Sequence, residues 1–518
     1  MAAKIRELDT AMVDRVLKHV TSEGKTKEIT APFTGKPLAE VPISTAEDVR
    51  TAYARARAAQ EAWAALPIRR RIEPFLRLHD AMLDRRAELL DIVQWETGKA
   101  RRHAYEELLD AAGCTLYFAR RAPGLLAPHR RQGIFPIATK AMELRHPKGA
   151  VAVITPWNYP LALGVSDVTP ALIAGNAVVH KPDTQTPLSV LWTIDLLVEL
   201  GMPRDLWQVV IGDPADIGDP LLDGADYVAF TGSTRAGRKI AEGAARRLIG
   251  CSLELGGKNP MIVLDDADLD VAVQGAIRAC FTNAGQLCIS IERLYVHESI
   301  ADVYCDRLAR TVRNMNIGPS LDWDTQMGSL TYRRQLDAVS AHVADAVDKG
   351  ARVLAGGRPR PDLGPLFYEP TILDGVTEDM AVCRDETFGP VVSIHRFADE
   401  DEVVERANDT PYGLNASIWT RDLARGRALA ARVKAGTVNI NEGYASAWAS
   451  YDAPMGGMKA SGLGRRHGAE GLLKYTEGQT VAGQATWLGF EPILGMTYEK
   501  YADTLATVLK TMKRLHLK

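Results

Sequence analysis

Apolar residues recur every three or four positions through residues 46–120, in segments that are otherwise rich in Ala, Arg and Glu. Ile72, Phe75, Leu76 and Leu83 follow this spacing, which is the period of an α-helix with one buried face. The region is therefore predicted to be mainly helical.

Short β-branched runs alternate with helix-like segments after residue 149. The runs are AVAVIT at 150–155, AVVHK at 177–181, WQVVIG at 207–212 and DYVAFTG at 226–232. Strands that alternate with helices predict a parallel sheet covered on both faces. Because such sheets bind ligands at the carboxyl ends of their strands, the segments TPWN, KPD and FTGS are predicted to meet at one edge.

A second alternating block extends from residue 259 to about residue 440 and predicts a second α/β unit. Residues 125–147 and 478–495 differ from both blocks, which favours a shared sheet or an arm between subunits. Residues 496–518 are amphipathic and are interpreted as a helix packed on a dimer. A basic anchor that touches anionic lipid is the alternative interpretation of this tail.

Composition narrows the class of protein. A chain of 518 residues has room for two or three domains, at roughly 100–200 residues each. A net charge of −3 with 25% charged residues argues against nucleic-acid binding. Six scattered cysteines without C-x-x-C spacing predict a reducing cytoplasm and no metal site. No run reaches about 18 apolar residues, so an integral membrane protein is not expected.

Two residues are candidates for covalent chemistry. Cys288 ends the segment FTNAGQLC, and Glu254 stands upstream in SLELGGKNP, directly before two glycines that let backbone approach a ligand. Taken singly, a cysteine is more often a small buried hydrophobe, and a lone glutamate is more often an ordinary surface carboxylate. The spacing of the two residues is what makes them candidates.

The motifs TPWNYP, HKPDTQTP, FTGSTRAG, LELGGKNP, FTNAGQLC, ETFGPV and PMGGMKASGLGR occur in the order found in the aldehyde dehydrogenase superfamily. The chain resembles that family over about residues 25–480, and most of all its actinobacterial NADP-dependent succinate-semialdehyde dehydrogenases. The resemblance implies an α/β fold and a homodimer or homotetramer. Its expected parts are a Rossmann-like cofactor domain (1–124 and 148–253), an α/β catalytic domain (254–456), a small β oligomerisation element (125–147 and 470–495) and a C-terminal helical tail (496–518).

The resemblance also implies the roles of three catalytic residues. A partly ionised Cys288 attacks the aldehyde carbonyl to form a thiohemiacetal. Asn158 and the backbone N–H of Cys288 stabilise its oxyanion. Loss of hydride to the nicotinamide leaves a thioester, and Glu254 activates the water that hydrolyses it. The expected reaction is oxidation of an aldehyde to a carboxylic acid.

A further set of residues is expected to hold the nicotinamide cofactor. The set comprises Trp157, Lys181, Thr184, Gly212, Gly232, Ser233, Gly237, Leu255, Glu386 and Phe388. NAD-specific relatives carry Glu where this chain has Thr184, and that carboxylate repels a 2′-phosphate. NADP is therefore the predicted cofactor, with NAD as the alternative.

Other departures from the family concern charge and substrate. Many members have a Lys and a Glu at the positions of Asp167 and Arg466, so an ion pair of inverted polarity is predicted. Known succinate-semialdehyde dehydrogenases hold the substrate carboxylate with arginines where this chain has Ser166 and Thr282. Succinate semialdehyde is still the expected substrate, and a broad range of aliphatic or aromatic aldehydes is the alternative.

An extended loop at 442–453 carries Tyr444, Trp448 and Tyr451, which are predicted to narrow the entrance or to accept a longer apolar aldehyde. Two rival functions use the same fold. A CoA-acylating dehydrogenase usually lacks the glutamate, so Glu254 argues against it. A scaffold without activity is expected to lose the nucleophile, so Cys288 argues against that function.

Overall fold

The computed structural model describes residues 7–133, 138–485, 489–493 and 495–516. The chain divides into two compact units. The larger contains residues 1–123 and 147–475, and the smaller contains residues 124–146 and 476–518.

The elements of the first half run in chain order as follows: α1 (Thr10–Leu17), β1 (Thr26–Thr30), β2 (Pro37–Pro42), α2 (Ala46–Ala64), α3 (Ile68–Asp84), α4 (Arg86–Thr97), α5 (Arg101–Leu125), β3 (His129–Gln132), β4 (Thr139–Pro147), β5 (Ala150–Ile154), α6 (Pro160–Ile173), β6 (Ala177–Lys181), α7 (Leu188–Glu199), β7 (Trp207–Val209), α8 (Pro214–Asp223), β8 (Tyr227–Thr231), α9 (Thr234–Arg247) and β9 (Gly250–Glu254).

The second half continues with β10 (Asn259–Val263), α10 (Leu269–Phe281), β11 (Ile291–His297), α11 (Glu298–Arg313), α12 (Arg333–Asp348), β12 (Arg352–Ala355), β13 (Thr371–Asp374), α13 (Ala381–Arg384), β14 (Val391–Phe397), α14 (Glu400–Asn408), β15 (Asn415–Trp419), α15 (Leu423–Ala430), β16 (Thr437–Ile440), α16 (Ala445–Trp448), β17 (Gly462–Leu463), α17 (Gly468–Leu473), β18 (Thr476–Gln484) and α18 (Tyr498–Arg514).

The first sheet of the larger unit has the strand order β17-β9-β8-β5-β6-β7. Strands β5 to β9 are parallel, and β17 joins β9 in the antiparallel direction. Strands β6 and β8 are buried along their whole length, as their apolar β-branched sequences predict for a sheet covered on both faces. Because β6 and β8 lie on opposite sides of β5, the strand order reverses there and opens a crevice suited to a ligand.

The second sheet of the same unit has the order β12-β13-β14-β11-β10-β15-β16, and only β12 is antiparallel to its neighbour. The predicted second α/β block is therefore confirmed. Cys280 is 1% exposed and packs in the core between α10 and this sheet. It is a core residue.

In the smaller unit, β3, β4 and β18 form a sheet in the order β18-β4-β3. Helix α18 lies in the segment interpreted as an amphipathic tail, and Thr497 caps its first turn. Tyr501 is its buried residue, whereas Val508 is 42% exposed. Among the described residues, no helix has both the length and the apolar content to cross a membrane.

Candidate active site

A cavity of about 310 Å³ lies at the carboxyl edge of the first sheet, where its strand order reverses. Nine of the residues expected to form a site line it together: Trp157, Asn158, Gly232, Ser233, Glu254, Leu255, Cys288, Glu386 and Phe388. They come from the loops after β5, β8 and β9 and from the loops that precede β11 and β14. Lys181, Thr184, Gly212 and Gly237 are not among the lining residues.

The turn that presents Cys288 has an unusual backbone. Asn283 and Ala284 have φ values of +52° and +53°, which L-residues adopt only when surrounding contacts enforce them. The Asn283 side chain donates to the carbonyl of Asn158 at 3.0 Å and to that of Gln286 at 3.1 Å. These hydrogen bonds hold the turn that presents Cys288 against the loop that carries Asn158.

Cys288 is half-buried, and burial raises the pKa of its thiol to about 12. The nearby Glu254 carboxylate raises the pKa further, while Arg466 opposes the increase. Burial therefore opposes ionisation of the thiol in the resting protein. Attack on a carbonyl requires a base to remove the thiol proton as the new bond forms.

Hydrogen bonds hold both the side chain and the backbone carbonyl of Asn158. Its side-chain Nδ2 donates to the carbonyl of Gln286 at 3.0 Å, which leaves its second N–H for another acceptor. Its backbone carbonyl accepts from Lys99 Nζ at 2.6 Å. Lys99 is also paired with Glu107, and both side chains are fully buried. Glu107 in turn accepts the N–H of Leu161 at 3.0 Å, at the start of α6. The Lys99–Glu107 pair was not predicted from the sequence, because the helical spacing of residues in α5 does not distinguish a buried charge from an exposed one.

Glu254 ends strand β9, beside Thr231 on β8. Burial raises the pKa of its carboxyl to about 7, and the cations of Arg466 and Lys474 oppose that increase. A side chain at Gly456 would place its Cβ 2.9 Å from Glu254 Oε1, so this glycine leaves room for the carboxylate. A carboxyl with a pKa near neutrality is suited to act as a general base.

The predicted ion pair of inverted polarity is present behind Glu254. Arg466 donates to Asp167 at 2.5 Å and to Thr231 Oγ1 at 2.7 Å, and Lys474 lies 3.4 Å from Asp167. Burial disfavours both charges of the pair. Nevertheless, Arg466 lowers the pKa of Asp167, and Asp167 with Glu254 raises the pKa of Arg466. The charges are thus maintained in the interior beside the candidate base.

The N-terminus of α9 opens onto the cavity. Ser233 caps it, accepting the N–H of Ala236 at 3.3 Å. A Cβ at Gly237 would lie 2.5 Å from the Leu255 side chain, so the glycine allows α9 to pack closely on the next loop. Free N–H groups and the positive end of the helix dipole make this terminus suitable for a pyrophosphate.

Lys181 and Thr184 follow β6, at the same sheet edge. Lys181 is 8% exposed, and no carboxylate of the described residues lies within 4 Å of it. Burial lowers the pKa of Lys181, while Asp183 and Asp213 act in the opposite direction. Its Nζ lies 3.5 Å from the carbonyl of Pro182. A buried ammonium without a close counter-charge suits an anionic ligand.

Glu386 and Phe388 occupy the wall contributed by the second sheet. Glu386 accepts the N–H of Gly257 at 2.8 Å, and burial raises its pKa to about 8. Phe388 has a φ of +51°, and its ring meets the Trp157 ring edge-on, with 5.5 Å between the centroids. Gly212 follows the carboxyl end of β7, where a Cβ would be 3.2 Å from the Ser44 carbonyl, so this glycine allows close packing there.

A second buried pair supports this wall. The Glu292 carboxylate accepts the N–H groups of Thr387 and Phe388 at 2.9 and 2.8 Å and pairs with Lys258 at 2.5 Å. Asn259 Nδ2 donates to the carbonyl of Cys288 at 2.8 Å. Besides Glu254, the motif LELGGKNP therefore contains two residues that position loops of the site. Lys258 pairs with the carboxylate that holds the loop of Thr387 and Phe388, and Asn259 holds the loop of Cys288. The sequence signal for this pair was an ionisable residue, Lys258 or Glu292, at the start of an apolar strand.

Cys288 also packs against a second group of side chains, called here the apolar cluster. Its members are Tyr159, Ala162, Leu163, Leu287, Ile289, Leu414, Tyr444, Met455, Ala445 and Trp448. The Trp448 ring lies 6.1 Å from the Tyr159 ring and 6.2 Å from the Tyr444 ring. Of the three aromatic residues predicted at the entrance, Tyr444 and Trp448 thus belong to the apolar cluster on which Cys288 packs. Tyr451 instead packs on α5 against Gly113.

Fold and cavity together define an α/β oxidoreductase in which a thiol, an amide and a carboxylate share a cavity with a helix N-terminus. Residues 19–481 match the aldehyde dehydrogenase family, and the chain belongs to that family.

A putative succinate-semialdehyde dehydrogenase (NADP+) of Mycolicibacterium smegmatis is 52% identical over 491 residues, which are 95% of each chain. Solved structures are also similar. An NADP-dependent enzyme of E. coli has a TM-score of 0.85 and 36% identity, over 89% of this chain and 95% of that one. The betaine aldehyde dehydrogenase of Staphylococcus aureus in complex with NAD+ has a TM-score of 0.85 and 31% identity, over 94% and 99%.

Proposed function

We propose that this aldehyde dehydrogenase oxidises an aldehyde to a carboxylic acid with NADP, through a thioester on Cys288. The observation that carries the proposal is that Cys288, Asn158 and Glu254 line one cavity. The same cavity contains Glu386 and Phe388 and the N-terminal end of α9. A nucleophile, an oxyanion donor and a base are thereby available to one substrate carbonyl.

The reaction begins when Cys288 Sγ forms a bond to the carbonyl carbon. Its proton passes to Glu254, directly or through a water molecule, because burial raises the pKa of the thiol and disfavours its ionised form. The carbonyl oxygen becomes an oxyanion and accepts from the free N–H of Asn158 and from the N–H of Cys288. Bound NADP supplies the hydride acceptor.

The second stage releases the product. After Glu254 has returned its proton to solvent, the carboxylate takes a proton from a water molecule that attacks the Cys288 thioester. The carbon–sulfur bond breaks, the acid leaves and the thiolate sulfur is reprotonated. Burial raises the pKa of Glu254 to about 7, so the carboxylate is largely ionised above that pH and can perform both proton transfers.

The residues fit NADP as the cofactor. Lys181 is a buried cation without a close carboxylate, and Thr184 three residues later brings no negative charge against a 2′-phosphate. The M. smegmatis relative is named for NADP+. NAD is the second candidate, because the S. aureus relative was solved with NAD+.

Two classes of substrate are candidates. Succinate semialdehyde is supported by the name of the M. smegmatis relative. Uncharged aliphatic or aromatic aldehydes are supported by the apolar cluster that Cys288 contacts. A homodimer or homotetramer in the cytoplasm completes the proposal, and light scattering of the purified chain tests the assembly.

The test follows NADPH absorbance with a panel of aldehydes and compares Cys288→Ser with the parent. We expect the rate to fall by more than about 10⁴-fold in the variant. Cys251→Ser is the matched control, because Cys251 is also half-buried but does not line the cavity. No turnover of any aldehyde by the folded parent protein would contradict the proposal and favour a scaffold without activity.

A further inference from the structure

The apolar cluster gives Cys288 a second face, distinct from the cavity. Cys288 is the one residue that belongs both to the cavity lining and to the cluster. Trp448 and Ala445 are half-buried, so the cluster reaches the protein surface at these two residues. A substrate whose carbonyl reaches Sγ while the cofactor fills the cavity must place the rest of its body against these side chains.

One polar group in the cluster has no partner. The Tyr159 hydroxyl is buried and makes no hydrogen bond within the described chain. A buried hydroxyl without a partner is costly, on the order of 1–3 kcal/mol, unless a ligand or water completes it. Because Tyr159 packs in the same cluster as Cys288, its hydroxyl is an unused hydrogen-bonding group on the cluster side of the nucleophile.

A carboxylate borders the cluster. The Tyr444 hydroxyl donates to Glu106 Oε2 at 2.9 Å and lies 3.1 Å from Thr282 Oγ1. Glu106 is therefore one hydrogen bond away from Tyr444, a member of the cluster on which Cys288 packs. Thr282 has its hydroxyl engaged in the same network.

The other charges near Glu106 do not provide a free buried cation. Burial raises the pKa of Glu106 to about 7, so its carboxylate is largely ionised at pH 8. Lys99 is the cation that most opposes this increase, but Lys99 is already paired with Glu107. Arg278 lies on the exposed face of α10, and Glu442 adds a second carboxylate. A bound semialdehyde that carries a carboxylate, such as succinate semialdehyde, would thus bring that carboxylate towards the aromatic side chains of the apolar cluster and the negative charge of Glu106.

Distance makes this conflict unavoidable for a short semialdehyde. In succinate semialdehyde two methylene groups separate the aldehyde carbon from the carboxylate carbon, a span of roughly 4 Å. With the aldehyde carbon at Cys288 Sγ, the carboxylate stays within reach of the apolar cluster. An anion there exchanges its hydration for aromatic contacts, which is unfavourable without a cation.

Resting on the function proposed above, we propose that the apolar cluster receives the body of an uncharged aromatic aldehyde and that the Glu106 carboxylate disfavours aldehydes with a second, anionic group. Trp448 and Tyr159 supply edge-to-face contacts for a ring, and the Tyr159 hydroxyl bonds a polar ring substituent. Glu106 and Trp448 are then the residues that determine specificity.

The experiment measures kcat/KM with NADP at pH 8 for benzaldehyde, 4-carboxybenzaldehyde and succinate semialdehyde. The two benzaldehydes share one ring and differ by a carboxylate, so their ratio isolates charge. We expect the parent to prefer benzaldehyde to either anion by at least about tenfold. Glu106→Gln should reduce both preferences by about tenfold, because it keeps an oxygen for Tyr444 and removes the charge.

Trp448→Ala tests the ring contact without altering a buried group. It should lower the preference for benzaldehyde over succinate semialdehyde by about three- to tenfold. Trp323→Ala is the matched control, since Trp323 is 50% exposed and packs on Tyr105 instead. Arg278→Gln should change kcat/KM for succinate semialdehyde by less than about threefold.

Three results would overturn the inference: a parent that prefers succinate semialdehyde, an unchanged preference in Glu106→Gln, or a loss of about 10²-fold with succinate semialdehyde in Arg278→Gln. The last result would make Arg278 the anchor of an anionic substrate. In each case NADPH formation that disappears in Cys288→Ser would leave the proposed reaction intact. Thermal unfolding of each variant confirms that the comparison is between folded proteins.

Discussion

Breaking the Asp167–Arg466 pair should destabilise the protein strongly. The loss of stability should depend on which of the two residues is replaced. Both side chains are almost fully buried, at 4% and 6% exposure, and Lys474 is a second cation beside Asp167. Asp167→Asn leaves two buried cations without their carboxylate. Arg466→Gln leaves Asp167 with Lys474 as a remaining partner. Asp167→Asn should therefore be the more destabilising change.

The magnitude follows from burial. Removing one partner of a buried pair costs about 3–5 kcal/mol, because it leaves an uncompensated charge in the interior. We expect the free energy of unfolding to fall by an amount near the upper end for Asp167→Asn and near the lower end for Arg466→Gln. The double variant should cost less than the sum, with a coupling energy of about 2 kcal/mol.

Urea unfolding followed by circular dichroism measures these free energies, and the single and double variants form a double-mutant cycle. The exposed pair Arg307–Asp270 is the matched control, since its side chains are 42% and 83% exposed. Arg307→Gln should cost less than about 1 kcal/mol. Additive effects at Asp167 and Arg466, within about 0.5 kcal/mol, would refute the assignment of a coupled pair.

The same variant has a kinetic consequence through Glu254. Arg466 is the main group that lowers the pKa of Glu254 against the effect of burial. Without the guanidinium, the pKa of Glu254 rises above about 7, and the base is protonated over a wider range. The acid limb of the kcat profile should move to higher pH in Arg466→Gln. An unmoved limb would show that Arg466 does not set the ionisation of the base.

Three further predictions concern the catalytic and cofactor residues. In the parent, kcat should fall below a pH of about 7 as Glu254 protonates, and Glu254→Gln should remove this limb and lower kcat by about 10²–10⁴-fold, measured in steady-state and stopped-flow assays. Asn158→Ala should lower kcat by about 10²–10³-fold through loss of an oxyanion donor, and an effect confined to KM would contradict this role. Thr184→Glu should reduce the ratio of kcat/KM for NADP over NAD by at least about tenfold, and an unchanged ratio would place the 2′-phosphate elsewhere.

The strands and the location of the site were predictable because they depend on local patterns. The runs at 150–155 and 226–232 are apolar and β-branched, and they form β5 and β8 of a parallel sheet. The carboxyl ends of those strands then had to share an edge, which is where the cavity lies. Family resemblance added Cys288 and Glu254, which no period in the sequence distinguishes from other cysteines and glutamates.

The supporting charges were not predictable from pattern. Lys99 lies in the connection between α4 and α5, and Glu107 lies on α5, which also carries many exposed charges. Only the packed structure shows that both side chains are fully buried. Lys258 and Glu292 are joined across two strands of the second sheet. The direction of the Cys288 pKa shift was not predictable for the same reason, because the pKa of a thiol depends on burial by residues distant in sequence.

Proton transfer connects these buried charges to the reaction. Because burial raises the pKa of the Cys288 thiol, we propose that attack by Cys288 is coupled to removal of its proton. Glu254 is largely ionised above a pH of about 7 and lines the same cavity, whereas Glu386 is already bonded to the Gly257 N–H. In the proposed reaction, one carboxylate serves both the attack and the hydrolysis. Because Arg466 opposes the increase that burial causes in the pKa of Glu254, we expect the inverted ion pair to contribute to the chemistry as well as to the stability of the fold.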